Sequence, residues 1–148
     1  MTFRFSLQVV LNLKRAQENS QRFKLEAIAA EQGMVRARIQ ELTGALEGRG
    51  RQVGERMSGG LTGVELQFES EHGAKVRLAR KRLRMHLDEL EKRRVAQLAV
   101  VTELRRAREA LESLRSQQLE IYRARQLRRE QQELDDVFLM RLNRARDE

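Results

Sequence analysis

Two histidines, His72 and His86, are the first residues to test for chemistry, because the 148-residue chain contains no cysteine. Fourteen positions apart on a helix, they would stand about 21 Å from one another, too far to share a metal ion. Each therefore reads as a surface residue. Asp135-Asp136 is a carboxylate pair by proximity, but neighbouring side chains on a helix diverge by about 100° and do not share a proton. Gly59-Gly60-Leu61-Thr62-Gly63 lacks the lysine and the preceding strand of a phosphate-binding loop. The expectation is a chain with no catalytic residue, no cofactor and no metal site.

The remaining chemistry is basic. Lys75, Arg77, Arg80, Lys81, Arg82 and Arg84 stand together without an acid between them, and Arg105, Arg106 and Arg108 form a second group. A third comprises Arg123, Arg125, Arg128 and Arg129. The formal net charge is +8, with 25 Arg against 5 Lys, which suggests an anionic partner. Such clusters bind phosphates in a salt-dependent way. Single-strand binding also wants stacking aromatics, and Tyr122 is the only one near the later clusters. The clusters also wrap around a helix instead of forming one stripe. Nucleic acid is thus expected as a nonspecific partner only.

Long helices must position these side chains. Charged residues make up 35% of the chain and aromatics 4%, too few large rings to fill a globular core. Ala, Leu, Glu, Gln, Arg and Lys dominate, the residues that lose least on entering a helix. There is no proline to interrupt one. No window approaches the roughly 18 apolar residues of a membrane span, and the first residues do not read as a signal peptide. A soluble, cytoplasmic protein without membrane insertion is expected.

Apolar or small residues recur in steps of four and three along Val9, Leu13, Ala16, Ser20, Phe23, Ala27, Ala30 and Met34. The series then slips by one residue and resumes at Val35, Ile39, Leu42 and Leu46, which predicts a local change of winding. A second seam runs Leu83, Leu87, Leu90, Val101, Leu104, Ala107, Leu111 and Leu114, with Arg94 and Gln97 at intermediate positions. Eight of the nine glycines lie between Gly44 and Gly73. Glycine costs nearly 1 kcal/mol against alanine in a helix, so the first helix should end there. Thr62-Gly63-Val64-Glu65 fits a capping box that starts the second.

The fold class is therefore all-α: a single long antiparallel two-helix coiled-coil hairpin with unequal arms. Helix 1 is expected at about 5–56, a glycine-rich connection at about 57–62 and helix 2 at about 63–145, giving arms of about 75 and 120 Å. The far end of helix 2 should then lack a partner within the chain. Glu18–Arg22, Asp88–Lys92, Glu89–Arg93, Glu112–Arg115 and Glu120–Arg123 read as solvated pairs on the exposed faces, each contributing a few tenths of a kcal/mol.

Phe3, Phe5, Leu7, Val9, Val10, Leu11 and Leu13 are too many apolar residues for a two-helix seam. Leu134, Val137, Phe138 and Leu142 are expected to cover them, and the paired termini to form an apolar tip that docks into a partner. Both ends also carry a resemblance. Phe3-Arg4-Phe5-Ser6-Leu7, followed by Val10-Leu11 and Lys14-Arg15, resembles the opening of the flagellar export protein FliJ family. The segment from Arg128-Arg129-Glu130-Gln131-Gln132 through Glu133-Leu134-Asp135-Asp136 is similar to that family's C-terminal motif, with Gln132 for the usual Lys and Asp136 for the usual Glu. Leu61-Thr62-Gly63-Val64-Glu65-Leu66-Gln67 is in the family style.

The resemblance implies an antiparallel coiled coil similar to the central stalk of rotary ATPases, acting in the cytoplasm at the inner-membrane export apparatus. It implies three partners: the hexameric flagellar export ATPase, the export gate membrane protein and export chaperones. Carried over by position, Phe3, Phe5, Leu7 and Leu11 with Arg128, Arg129, Gln131 and Leu134 would face the ATPase ring. Gln67, Phe68 and His72 would face the gate. The stalk of a virulence-type secretion system and a basic nucleic-acid-binding coiled coil are the alternatives. A structural spacer dimerising through helix 2 is a third.

Overall fold

A computed structural model of the chain describes residues 2–147. Helix α1, Gln8–Gly59, and helix α2, Gly63–Asp147, form an antiparallel hairpin, and there is no strand among the described residues. α1 runs through Gly44, Gly48, Gly50 and Gly54 before it stops. Packing sustains it there, since Leu46 and Val53 are half-buried against α2. The stop falls at Gly60, whose φ of +93° lies in the left-handed region that residues with a Cβ avoid. α2 then opens on the expected capping box. The Glu65 amide donates to Thr62 Oγ1 at 3.3 Å, and the Thr62 amide donates to Glu65 Oε2 at 3.1 Å. That backbone hydrogen bond holds the Glu65 carboxyl below its ordinary pKa.

The chain divides into two compact units, Asn19–Thr102 and Met1–Glu18 with Glu103–Glu148. In the first, partners descend along α2 as they rise along α1. Gln21 meets Gln97, Gln32 meets Glu91, Thr43 meets Arg80 and Arg49 meets Glu69. The covered seam of α1 runs Gln21, Leu25, Ile28, Gln32, Val35, Ile39, Leu42, Leu46, Arg49 and Val53, with Thr43 half-buried beside it. It steps by three and four with no slip at Met34. Val35, Ile39, Leu42 and Leu46 stand where expected, and the expected seam before them is corrected. Phe23 and Met34 are 70% and 73% exposed, and Ser20, Ala27 and Ala30 are exposed too.

The seam tolerates glutamine because its polar atoms are paired across the helices. Gln97 Nε2 donates to Gln21 O and Oε1 at 2.9 and 2.7 Å, and Gln32 Nε2 donates to Glu91 Oε2 at 2.9 Å. On α2 the expected positions Leu83, Leu87, Leu90, Arg94, Gln97 and Val101 are all buried or half-buried.

In the second unit, Leu11 is fully buried and Phe5 is 7% exposed. Leu104, Ala107, Leu111 and Leu114 are half-buried, as their spacing predicts. Val9 and Leu13 point outward, exposed by 78% and 54%. Beyond Gln126, every described side chain through Arg146 is exposed. The cover expected for the N-terminal apolar residues is therefore corrected. Leu134, Val137, Phe138 and Leu142 lie past the point where the N-terminal segment meets α2.

Candidate partner-binding end

The unit built from both ends of the sequence is organised by one aromatic contact and one ionic cluster. The rings of Phe3 and Tyr122 lie 5.6 Å apart, tilted by 53° to one another. Phe5 lies beside the helix start, its carbonyl accepting from the Gln8 amide at 3.1 Å. One turn along, the Leu11 amide donates to the Leu7 carbonyl at 2.9 Å.

The ionic cluster replaces two of the expected solvated pairs. Glu18 is only 4% exposed and accepts from Arg108, with the Arg105 guanidinium 3.7 Å away. Arg108 also reaches Glu112 at 2.8 Å, and Glu112 accepts from Arg15 at 3.0 Å. The hydrogen bond from Arg15, with help from Arg108, holds the Glu112 carboxyl below its ordinary pKa. Arg108 is pushed up, chiefly by its bond to Glu18. Sequence reasoning missed this cluster. Its signal was that Glu18 stands seven residues after Leu11 and seven before Leu25, where a heptad seam places a core residue. Arg105 and Arg108 are thereby occupied, and Arg106 pairs with Glu103 at 3.0 Å. The second basic group is therefore neutralised, which weakens the case for a continuous phosphate-binding surface.

The structure places the expected ring-facing residues in two environments. Phe3 is half-buried, Phe5 and Leu11 are buried, and Leu7 is 36% exposed. Arg128, Arg129, Gln131 and Leu134 are all exposed, and Gln131 Nε2 donates along the helix to Asp135 Oδ1 at 3.0 Å. The two groups are not brought together. Phe3 meets α2 at Tyr122, and Arg128 stands six residues, or about 9 Å, further along. Past Arg128 the exposed surface turns apolar through Leu134, Val137, Phe138, Leu139, Met140 and Leu142.

A profile of the flagellar FliJ protein matches residues 3–147. The chain belongs to the flagellar FliJ family. That makes it a flagellar, export-related protein, and the match spans both ends on which the resemblance rests. No curated protein and no solved structure matches the chain.

In the other unit of this FliJ-family chain, Gln67 is exposed and donates to Glu71 at 3.2 Å. Phe68 is 64% exposed, and its ring stands 6.5 Å from that of the half-buried His72 at 18°. His86 instead lies 3.0 Å from Glu31 on α1. Near the turn, Leu46, Gly50, Val53, Leu66 and Gly73 line an open groove of about 220 Å³. Among the described residues no group of three or more His, Cys, Asp or Glu could hold a metal ion. No described helix is long and apolar enough to cross a membrane.

Proposed function

We propose that this chain is the stalk of the flagellar type III export apparatus, binding the hexameric export ATPase and promoting its assembly and activity. The observation that carries this reading is the end of α2, which runs past Tyr122 and exposes the FliJ-like motif Arg128–Asp136 together with an apolar continuation. A single helix with that much uncovered apolar surface needs a partner that encloses it. Arg128, Arg129, Gln131 and Leu134 would make the direct contacts with the ring, with Leu7 and Phe3 at the margin. Phe5 and Leu11 would act indirectly, by holding the N-terminal segment on α2. The basic balance of the chain favours a pore lined with carboxylates.

The same reading gives the chain two further partners. Gln67, Phe68 and His72 would face the export gate membrane protein, where Phe68 offers an exposed ring. Export chaperones would be the other, with the chain working on the cytoplasmic side, peripheral to the inner membrane. The test is ATP hydrolysis by the export ATPase of the same organism with and without this chain, with oligomers sized in the same samples. Stimulation with hexamer formation that survives physiological salt is expected. Absence of both would overturn the reading.

A further inference from the structure

Between Glu71 and Asp88, α2 holds Lys75, Arg77, Arg80, Lys81, Arg82 and Arg84 and no acid. Arg80 is half-buried and donates to Thr43 Oγ1 at 3.4 Å. The other five are exposed, and none of them enters an ion pair among the described residues. The second basic group differs, its arginines being taken up by Glu18 and Glu103.

The placement of these cations around the helix carries the argument. Val76, Leu83 and Leu87 are half-buried on the side that packs against α1. On the side facing away, Leu78 and Met85 are 50% and 63% exposed. They stand seven residues apart, so they share one line along the helix, and Ala74 extends it. Measured from Leu78 at about 100° per residue, Lys81, Arg77 and Arg84 fall about 60–120° to one side. Arg82 and Lys75 fall about 40–60° to the other. A convex apolar crest thus carries free cations on both shoulders.

That shape selects the partner. A nucleic-acid strand follows one basic stripe and gains from stacking aromatics, and no Phe, Tyr or Trp lies between Glu71 and Asp88. It gains nothing from Leu78 or Met85. A folded acidic protein would need a concave trough to reach both shoulders. A layer of anionic headgroups closes around such a helix. The crest enters the layer, and the long Lys and Arg stems reach forward to the phosphates on either side.

We propose that residues 74–85 of α2 form a membrane-surface face that lies on anionic phospholipid, with Leu78 and Met85 turned into the headgroup layer. The attachment is shallow, reversible and weakened by salt, since its cations supply most of the attraction. The proposal needs only the isolated chain and lipid, and it does not rest on the ATPase reading.

The experiment is co-sedimentation of the purified chain with vesicles of phosphatidylcholine alone, or of phosphatidylcholine mixed with phosphatidylglycerol, over a salt series. Binding to the mixed vesicles alone, declining with salt, is expected. Arg77→Glu with Arg84→Glu should weaken it by about tenfold or more. The same charge change at the exposed Arg22 and Lys24 of α1 should weaken it far less. Met85→Trp gives the chain its only tryptophan, whose emission should shift to the blue on mixed vesicles and not on duplex DNA or polyglutamate. Leu78→Gln with Met85→Gln should weaken vesicle binding and leave DNA binding unchanged. Circular dichroism of each variant checks that the helices persist, and every substituted side chain is exposed. A chain that ignores the mixed vesicles would overturn the proposal. Equal losses from the two charge reversals would reduce the attraction to net charge and overturn the site. An emission shift on DNA or polyglutamate but not on vesicles would give the face to that partner instead.

Discussion

Arg108 closes its guanidinium on Glu18, a carboxylate that is 4% exposed at a position where a coiled-coil seam places a hydrophobic residue. The pair is not isolated. Arg108 also binds Glu112, which accepts from Arg15, so four charges on two helices fix one another. An apolar seam can slide by a heptad at modest cost, whereas this cluster is satisfied in one alignment. It therefore sets the register that brings Phe3 to Tyr122.

Glu18→Ala should lower the unfolding free energy by about 1–3 kcal/mol, because two arginines lose their acceptor in a covered site. The double change Glu18→Leu with Arg108→Leu should recover most of that loss, since a covered ion pair is often replaceable by apolar residues. Urea unfolding followed by circular dichroism measures both. A double variant no better than Glu18→Ala would show that the cluster stabilises beyond its alignment role.

Acid should loosen the hairpin through Glu91 and Glu112. Bonds from Arg94 and then Gln32 lower Glu91 from its ordinary value of 4.5 to about 2, and Glu112 is lowered by Arg15 and Arg108. A carboxyl whose pKa falls on folding adds stability that is complete above its ordinary value and lost as pH drops through the folded one. Melting temperature should therefore fall between about pH 5 and pH 2. Glu91→Gln should make that decline shallower, and an unchanged slope would show that folding does not lower the Glu91 carboxyl.

The hairpin, its turn and the α2 seam were legible because each rests on a residue type with one physical meaning. Thr62 and Glu65 cap a helix, a glycine stands where φ is positive, and Leu83 through Leu114 repeat with few interruptions. The first half of α1 was not. Its true seam holds Lys14, Glu18, Gln21 and Gln32, while the outward face holds Val9, Leu13, Phe23 and Met34. Hydropathy alone picks the outward face. The choice is reversed by partners on α2, Arg108 for Glu18, Gln97 for Gln21 and Glu91 for Gln32, which local sequence does not show. The same register explains why the two ends of the family resemblance stand apart: Tyr122, not Leu134, lies against Phe3.

Two glycines should respond oppositely to alanine. Gly60 has a φ of +93°, so Gly60→Ala is strained by about 1 kcal/mol although its side is open. Gly54 lies inside α1 with nothing near its missing Cβ, so Gly54→Ala should stabilise by about 1 kcal/mol. Thermal unfolding of the two variants side by side reads the difference in sign. Equal shifts would mean that the chain reverses direction somewhere other than at Gly60.

Phe5→Ala and Leu134→Ala separate holding from docking. Phe5 is 7% exposed, so its loss should cost about 3 kcal/mol and release the N-terminal segment from α2. Leu134 is 65% exposed, and its removal should leave the melting temperature nearly unchanged. If the end of α2 makes the direct contact with the export ATPase, Leu134→Ala weakens stimulation at unaltered stability, whereas Phe5→Ala weakens it only as the fold loosens. Stimulation and melting curves measured on the same preparations decide this. A Leu134→Ala chain that stimulates fully would place the contact elsewhere, and Leu7, the N-terminal ring-facing residue that remains exposed, would be the next residue to change.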